Sequence, residues 1–407
     1  MTIRASIFRD FNPSHSIPSI SVGTAKVLHY GLTGVLLVVL CGPSLQCLAQ
    51  ETAQGIAAPK LDLENGVSDQ GSTKTKVTQA VLEGIDDLAI DKQFTAMDSL
   101  DCGKEDSDDA RQCLEGLSWK PAKFQVRLTQ GKESDKMDRM VRFDSPQPLG
   151  DSTNDLVALE WYMAIDSQGR PVKAPAMIVV HESGSGMTVG RIISKGLRAH
   201  GLHAFMMQMP GYGVRKSPTI TEAHSKEGEA LKLIPAMKQA IADARRARDA
   251  VSVLPYVDSS MIGIQGTSLG GFVTASVGGF DAGFDRVFVL LAGGDLNQVI
   301  FNGAKDAAEV RKRLEEAGAT REMIMEGTRH IEPLRIAHRI RPEVTWLYSG
   351  KFDDVVPPAC SHALAKAAKL PPEHHIEMPV DHYSGALLMP KILLEMAKIM
   401  QSPKYQK

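Results

Sequence analysis

The stretch Gly266-Thr267-Ser268-Leu269-Gly270 places a serine between two glycines, after a short apolar run and before a run of small residues. A serine hydroxyl is a poor nucleophile at neutral pH, so it needs a base beside it and an acid to orient that base. Both types follow in the chain: SGKFDDVVPP carries Asp353 and Asp354, and PVDHYSG presents His382. Two neighbours at a strand end point to different sides, so only one of the two aspartates can reach the histidine. His374 and His375 open the segment HHIEMPV at its opposite end, where a structural role is expected. Glu373, His374, His375 and Glu377 lack a spacing that would converge on a metal, and no metal or other cofactor is expected.

Acyl chemistry also needs hydrogen-bond donors for a developing oxyanion. One expected donor is the backbone N–H of Leu269, directly after the serine. The other is expected from HESGSG, residues 181–186, at the N–H of Glu182 or Ser183. Glu182 has a second reading, as a salt-bridge residue beneath that loop.

These residues sit in a regular alternation. APAMIVV, LHAFMMQMPGYG, MIGIQGTSLGG, RVFVLLAGG, VTWLYSG and HHIEMPV read as apolar strands separated by helical sequence, including a long helix from about Glu222 to Leu254. Such alternation implies crossover connections and a mostly parallel sheet with helices on both faces, with reactive groups gathered at the carboxyl ends of the strands. Gly266 and Gly270 then serve a strand-to-helix turn too sharp for side chains, the context of a nucleophile elbow. Upstream, FQVRL and DLVALEWYMA suggest strands, DSQGRP a turn, and Val77, Val81, Ile85 and Leu88 recur at helical spacing. Residues 77–150 form an N-terminal extension that either lengthens the sheet or packs beside the site.

With serine, acid and histidine in that order, the chain resembles the α/β-hydrolase family. HESGSG, MPGYGVRKS, GIQGTSLGG, SGKFDDVVPP and VDHYSG, within about residues 155–400, are similar to the dienelactone-hydrolase-like branch. The resemblance implies an α/β-hydrolase fold over 151–407, a mostly parallel central sheet with helices on both faces. It also implies a short helical lid at 295–341, the alternative there being an elongated crossover helix. SGKFDDVVPP follows the G-x-x-D-x-x-V-P pattern of the family, which puts the acid at Asp353 and leaves Asp354 to cap the helix near Pro357 or meet solvent. Dienelactone hydrolases use a cysteine where this chain has Ser268, so a carboxylesterase is the better inference. The implied activity is a serine hydrolase working through Ser268, His382, Asp353 and an acyl-enzyme on small-molecule or carbohydrate-linked esters. A peptidase or acyltransferase on the same fold, and a catalytically silent binding protein, are the alternatives.

Composition sets the outer bounds. The chain has 407 residues, 43% hydrophobic and 23% charged, enough for one large core or two modest ones. A formal net charge of -2 excludes the dense basic surface of a nucleic-acid binder. The basic cluster ARRAR at 244–248 is expected on a solvated helix face. Residues 1–49 read as a secretory signal: Arg4, Arg9 and Lys26 precede the apolar GLTGVLLVVL and a cleavage site after Ala49. That makes the chain secreted or periplasmic, with no membrane partner unless the leader stays uncleaved. Residues 50–76 read as a flexible linker. In an oxidising compartment Cys102 and Cys113 are expected to close a polar loop as a disulfide, while Cys360 packs at the start of a helix.

Overall fold

The computed structural model describes residues 85–131, 137–217 and 226–403. The expected leader, the linker, Val77 and Val81 lie outside the described residues. Of the residues at helical spacing only Ile85 and Leu88 are described: Ile85 precedes a 3-10 turn, Asp86–Leu88, that contains Leu88.

Among the described residues ten strands form one sheet. In chain order they are β1 (Gln93–Met97), β2 (Lys123–Thr129), β3 (Arg139–Asp144), β4 (Leu156–Tyr162), β5 (Ala174–Val180), β6 (His203–Gln208), β7 (Val257–Thr267), β8 (Arg286–Leu290), β9 (Thr345–Gly350) and β10 (His375–Met378). Their spatial order is β1-β2-β3-β4-β6-β5-β7-β8-β9-β10. Strands β1 to β4 pair antiparallel, β4 joins β6 antiparallel, and every pairing from β6 to β10 is parallel. Residues 93–144 therefore lengthen the sheet, continuous with the α/β region.

The helices are α1 (Asp108–Leu117), α2 (Thr188–Ala199), α3 (Lys226–Ser252), α4 (Leu269–Phe280), α5 (Leu296–Asn302), α6 (Asp306–Glu316), α7 (Arg321–Arg329), α8 (Pro358–Ala367) and α9 (Met389–Gln401). A parallel strand covered on both faces is apolar at every position, and β5 demonstrates it. Ala176, Ile178 and Val180 enter the core shared with α3 and α4, while Met177 and Val179 enter the core shared with α2 and α9.

Two expectations fail here. The stretch after Cys102 is not a polar loop closed by a disulfide. Ser107 caps α1 by accepting from Ala110 N–H at 3.3 Å, and Ala110, Cys113, Leu114 and Leu117 turn inward at helical spacing. Cys113 is thereby committed to the core, and Cys102, Cys113 and Cys360 are all free thiols. Burial pushes the Cys102 thiol up to about 11 and the Cys360 thiol up to about 12. The ARRAR cluster is not solvated either. Arg245 and Arg246 are buried, Arg245 between Asp249 and Asp281 and Arg246 on Asp98. A buried guanidinium needs such partners to offset its desolvation, and the Asp98 pairing ties the strand extension to α3.

His203, at the start of β6, is fixed as a neutral ring. Its Nδ1 accepts from the Trp161 indole N–H at 3.2 Å and the Ala164 N–H at 3.1 Å. Nε2–H faces the carbonyls of Val172 and Tyr256, each at 3.0 Å. Burial lowers the His203 pKa from 6.5 to about 4. Between these values the unfolded chain binds a proton that the folded chain refuses, so stability is full above 6.5 and declines as pH falls through 4. Urea unfolding at a series of pH values should show this decline, and the slope should weaken in His203→Gln. An unchanged slope would remove His203 as its source.

Candidate active site

Ser268 stands where β7 ends and α4 begins, with φ 53° and ψ -118°. This region is costly for any residue with a side chain and persists only when the surroundings over-determine it. Here they do. The Ser268 N–H donates to Leu290 C=O of β8 at 2.9 Å, and its own carbonyl accepts from Gly271 N–H at 2.8 Å. A side chain at Gly266 would collide with the Gly270 carbonyl and Thr274, and one at Gly270 with the carbonyls of Val180 and His181. Both glycines are therefore required by close approach of backbone.

His382 lies in the loop after β10. Asp381 builds that loop by accepting from the N–H groups of Tyr383 at 3.0 Å and Ser384 at 2.7 Å, an aspartate turn that leaves the histidine at its crest. Asp353 lies just past β9. One of its oxygens accepts from the N–H groups of Val355 and Val356, at 3.0 and 2.9 Å. The other accepts from His382 Nδ1–H at 2.7 Å, and the Ser268 hydroxyl donates to His382 Nε2 at 3.0 Å. The structure thus brings Ser268, His382 and Asp353 into one hydrogen-bonded line, with the histidine and aspartate side chains 6% and 2% exposed. Asp354 points elsewhere: it is half-exposed and pairs with Lys305 at 3.1 Å. It does not cap α8, whose N-cap is Pro357.

Leu269 opens α4, so its N–H belongs to the first-turn donors that a helix leaves unbonded. The 181–186 loop follows β5, whose Val180 is paired with Gly266. Glu182 is not a salt-bridge residue there; its carboxylate accepts from the N–H groups of Val189 and Gly190, each at 3.0 Å, and caps α2. Ser183 is held by its carbonyl, which accepts from the Tyr212 hydroxyl at 2.9 Å. His181 is buried; its Nε2 accepts from Met209 N–H at 3.1 Å, and burial lowers its pKa to about 4.

The sequence reading missed Tyr212, Lys305 and Tyr383, which stand beside these residues. Tyr383 stands edge-on to His382, ring centroids 5.5 Å apart. The signal for Tyr212 was present in MPGYGVRKS, whose Arg215 is buried and pairs with Asp243 at 2.7 Å. Residues 295–341 are not one elongated crossover helix. They carry α5, α6 and α7, with a small core of Ile300, Leu314 and Ile324 and a cavity of about 460 Å³ lined by those residues, Leu233, Ile234 and Met323 among others.

A sheet parallel from β6 to β10, bearing a serine at a strained strand-to-helix turn after β7, with the acid on the loop after β9 and the histidine on the loop after β10, decides the architecture. The fold is the α/β-hydrolase fold. No family model and no curated protein matches the sequence. Solved structures of α/β-hydrolase type are similar to it at low identity. An acetyl xylan esterase from Paenibacillus sp. R4 has a TM-score of 0.48 at 14% identity, over 73% of this chain and 96% of that one. A puromycin-hydrolyzing peptidase from Mycobacterium tuberculosis has a TM-score of 0.46 at 16% identity, over 68% and 46%. A 2,6-dihydroxy-pseudo-oxynicotine hydrolase has a TM-score of 0.42 at 17% identity, over 60% and 64%.

Because a Cβ at Gly270 would meet the Val180 and His181 carbonyls, Gly270→Ala should lower stability by about 1–3 kcal/mol through overpacking. Thermal unfolding measures it, and an unchanged Tm would contradict the packing described for this turn.

Proposed function

We propose that the chain is a serine hydrolase that cleaves carboxylic esters through an acyl-enzyme. The observation that carries this reading is the line Ser268–His382–Asp353, with contacts of 3.0 and 2.7 Å at a strained turn. Ser268 Oγ attacks the ester carbonyl carbon while His382 Nε2 takes its proton, and the negative charge moves to the carbonyl oxygen. The N–H of Leu269 and an N–H of the Glu182–Ser183 segment receive that oxyanion. His382 then gives its proton to the departing alcohol oxygen, leaving Ser268 acylated. Water repeats the sequence, losing its proton to His382 and releasing the acid and free Ser268. Asp353 holds Nδ1–H throughout and offsets the positive charge that forms on the ring.

A carboxylic ester suits these residues because its leaving alkoxide needs only the proton that His382 has taken from Ser268. Small-molecule or carbohydrate-linked esters are the substrate class proposed, with export from the cell as the setting.

On p-nitrophenyl esters of increasing chain length, Ser268→Ala should abolish turnover, and Asp353→Asn should cost about 10⁴ in kcat by favouring the wrong histidine tautomer. Asp354→Asn should cost no more than about tenfold, since its carboxylate faces Lys305. Turnover retained in Ser268→Ala would overturn the reading. A larger loss at Asp354 than at Asp353 would move the acid by one residue.

A further inference from the structure

Lys305 adopts the same backbone conformation as Ser268, φ 50° and ψ -115°, at the entrance to α6. Glycine would take this conformation without cost, and a lysine there is strained. Its neighbours explain how it is held. Ala304 N–H donates to Asp354 C=O at 2.6 Å, and Gly303 lies so close to the Val355 carbonyl that it has no room for a side chain. The segment 303–306 is therefore bound to the loop that carries Asp353. It also reaches the loop that carries His382. The Lys305 ammonium is 3.1 Å from Asp354 and 5.0 Å from the centre of the Tyr383 ring. The Tyr383 ring presents itself edge-on to His382 at an interplanar angle of 85°.

We infer that Lys305 clasps the Tyr383 ring, and that Tyr383 so held positions His382 between Asp353 and Ser268. Tyr383 is 49% exposed, so burial does not fix its ring. The cation on the ring supplies the fixing instead, from a segment remote in sequence. The lysine at this glycine-like backbone position is itself held by Asp354. Lys305 and Tyr383 are positioning residues; neither is placed to touch the reacting atoms. This inference rests on the proposed hydrolase reading for its kinetic consequence, and on geometry alone for its effect on His382.

The test uses the full chain with Lys305→Gly, Lys305→Arg and Tyr383→Leu. Lys305→Gly relieves the backbone, so its Tm should hold or rise while kcat falls about tenfold with little change in KM, as expected of a misplaced proton-transfer group. Tyr383→Leu, which removes the ring between Lys305 and His382, should lower kcat in the same sense, and Lys305→Arg should restore most of the activity lost in Lys305→Gly. The imidazole nitrogen chemical shifts of His382 should move in Lys305→Gly and Tyr383→Leu, a readout that needs no substrate. Unmoved shifts, or a kcat loss in Lys305→Gly that merely follows a fall in Tm, would overturn the clasp. If the shifts move as expected in a chain that hydrolyses no ester, the clasp stands and the esterase reading falls.

Discussion

The turn at Ser268 can close only if three backbones meet without a side chain between them. The Gly270 position lies against the carbonyls of Val180 and His181, and the Gly266 position against the Gly270 carbonyl. That contact requires β5 to run beside β7 and the 181–186 loop to leave directly over the start of α4. It also fixes what the serine can do. A residue at φ 53° cannot continue the strand or join the helix, so its hydroxyl projects toward the loops after β9 and β10 and meets His382. The strain, about 1–3 kcal/mol for a residue with a side chain in such a region, is borne by the flanking parallel ladder.

Around this turn a buried network of polar groups anchors the 209–215 loop. Glu160, fully buried, accepts from Arg191 at 2.6 Å, Gln208 at 2.8 Å and the Tyr162 hydroxyl at 2.7 Å. Gln208 in turn accepts from Val214 N–H at 2.8 Å, and Arg215 reaches the carbonyls of Asn154 and Gln208 as well as Asp243. The 209–215 loop is thereby anchored at both ends, and its Tyr212 holds Ser183. A buried network of this kind rigidifies only when every member is satisfied. Here it transmits that rigidity to the segment proposed to bind the oxyanion.

The elbow, the parallel strands and the order of serine, acid and histidine were legible because each is a local pattern: an apolar run, a glycine pair, a turn. Asp353 was separable from Asp354 only through the family spacing back to Gly350 and on to Pro357, since alternation alone left either open. The cysteine pair misled because a polar stretch between Cys102 and Cys113 reads as a loop, whereas Ser107 starts a helix that turns Cys113 inward. ARRAR misled because the partners that make its burial tolerable, Asp98 and Asp281, are far away in sequence. Lys305 was invisible for a related reason. Nothing in GAKDA announces a positive φ, and its contacts with Asp354 and Tyr383 exist only once α6 has been placed beside both loops.

The central claim is that Ser268 becomes the acyl carrier, and acid-quenched single turnover tests it directly. The full chain is mixed with an activated ester at comparable concentration, stopped within the burst, digested and mapped by mass spectrometry. The account predicts one acyl group on the peptide containing Ser268, formed with stoichiometric release of the alcohol. Alcohol release with no acylated peptide, or with the acyl group on a different residue, would contradict it.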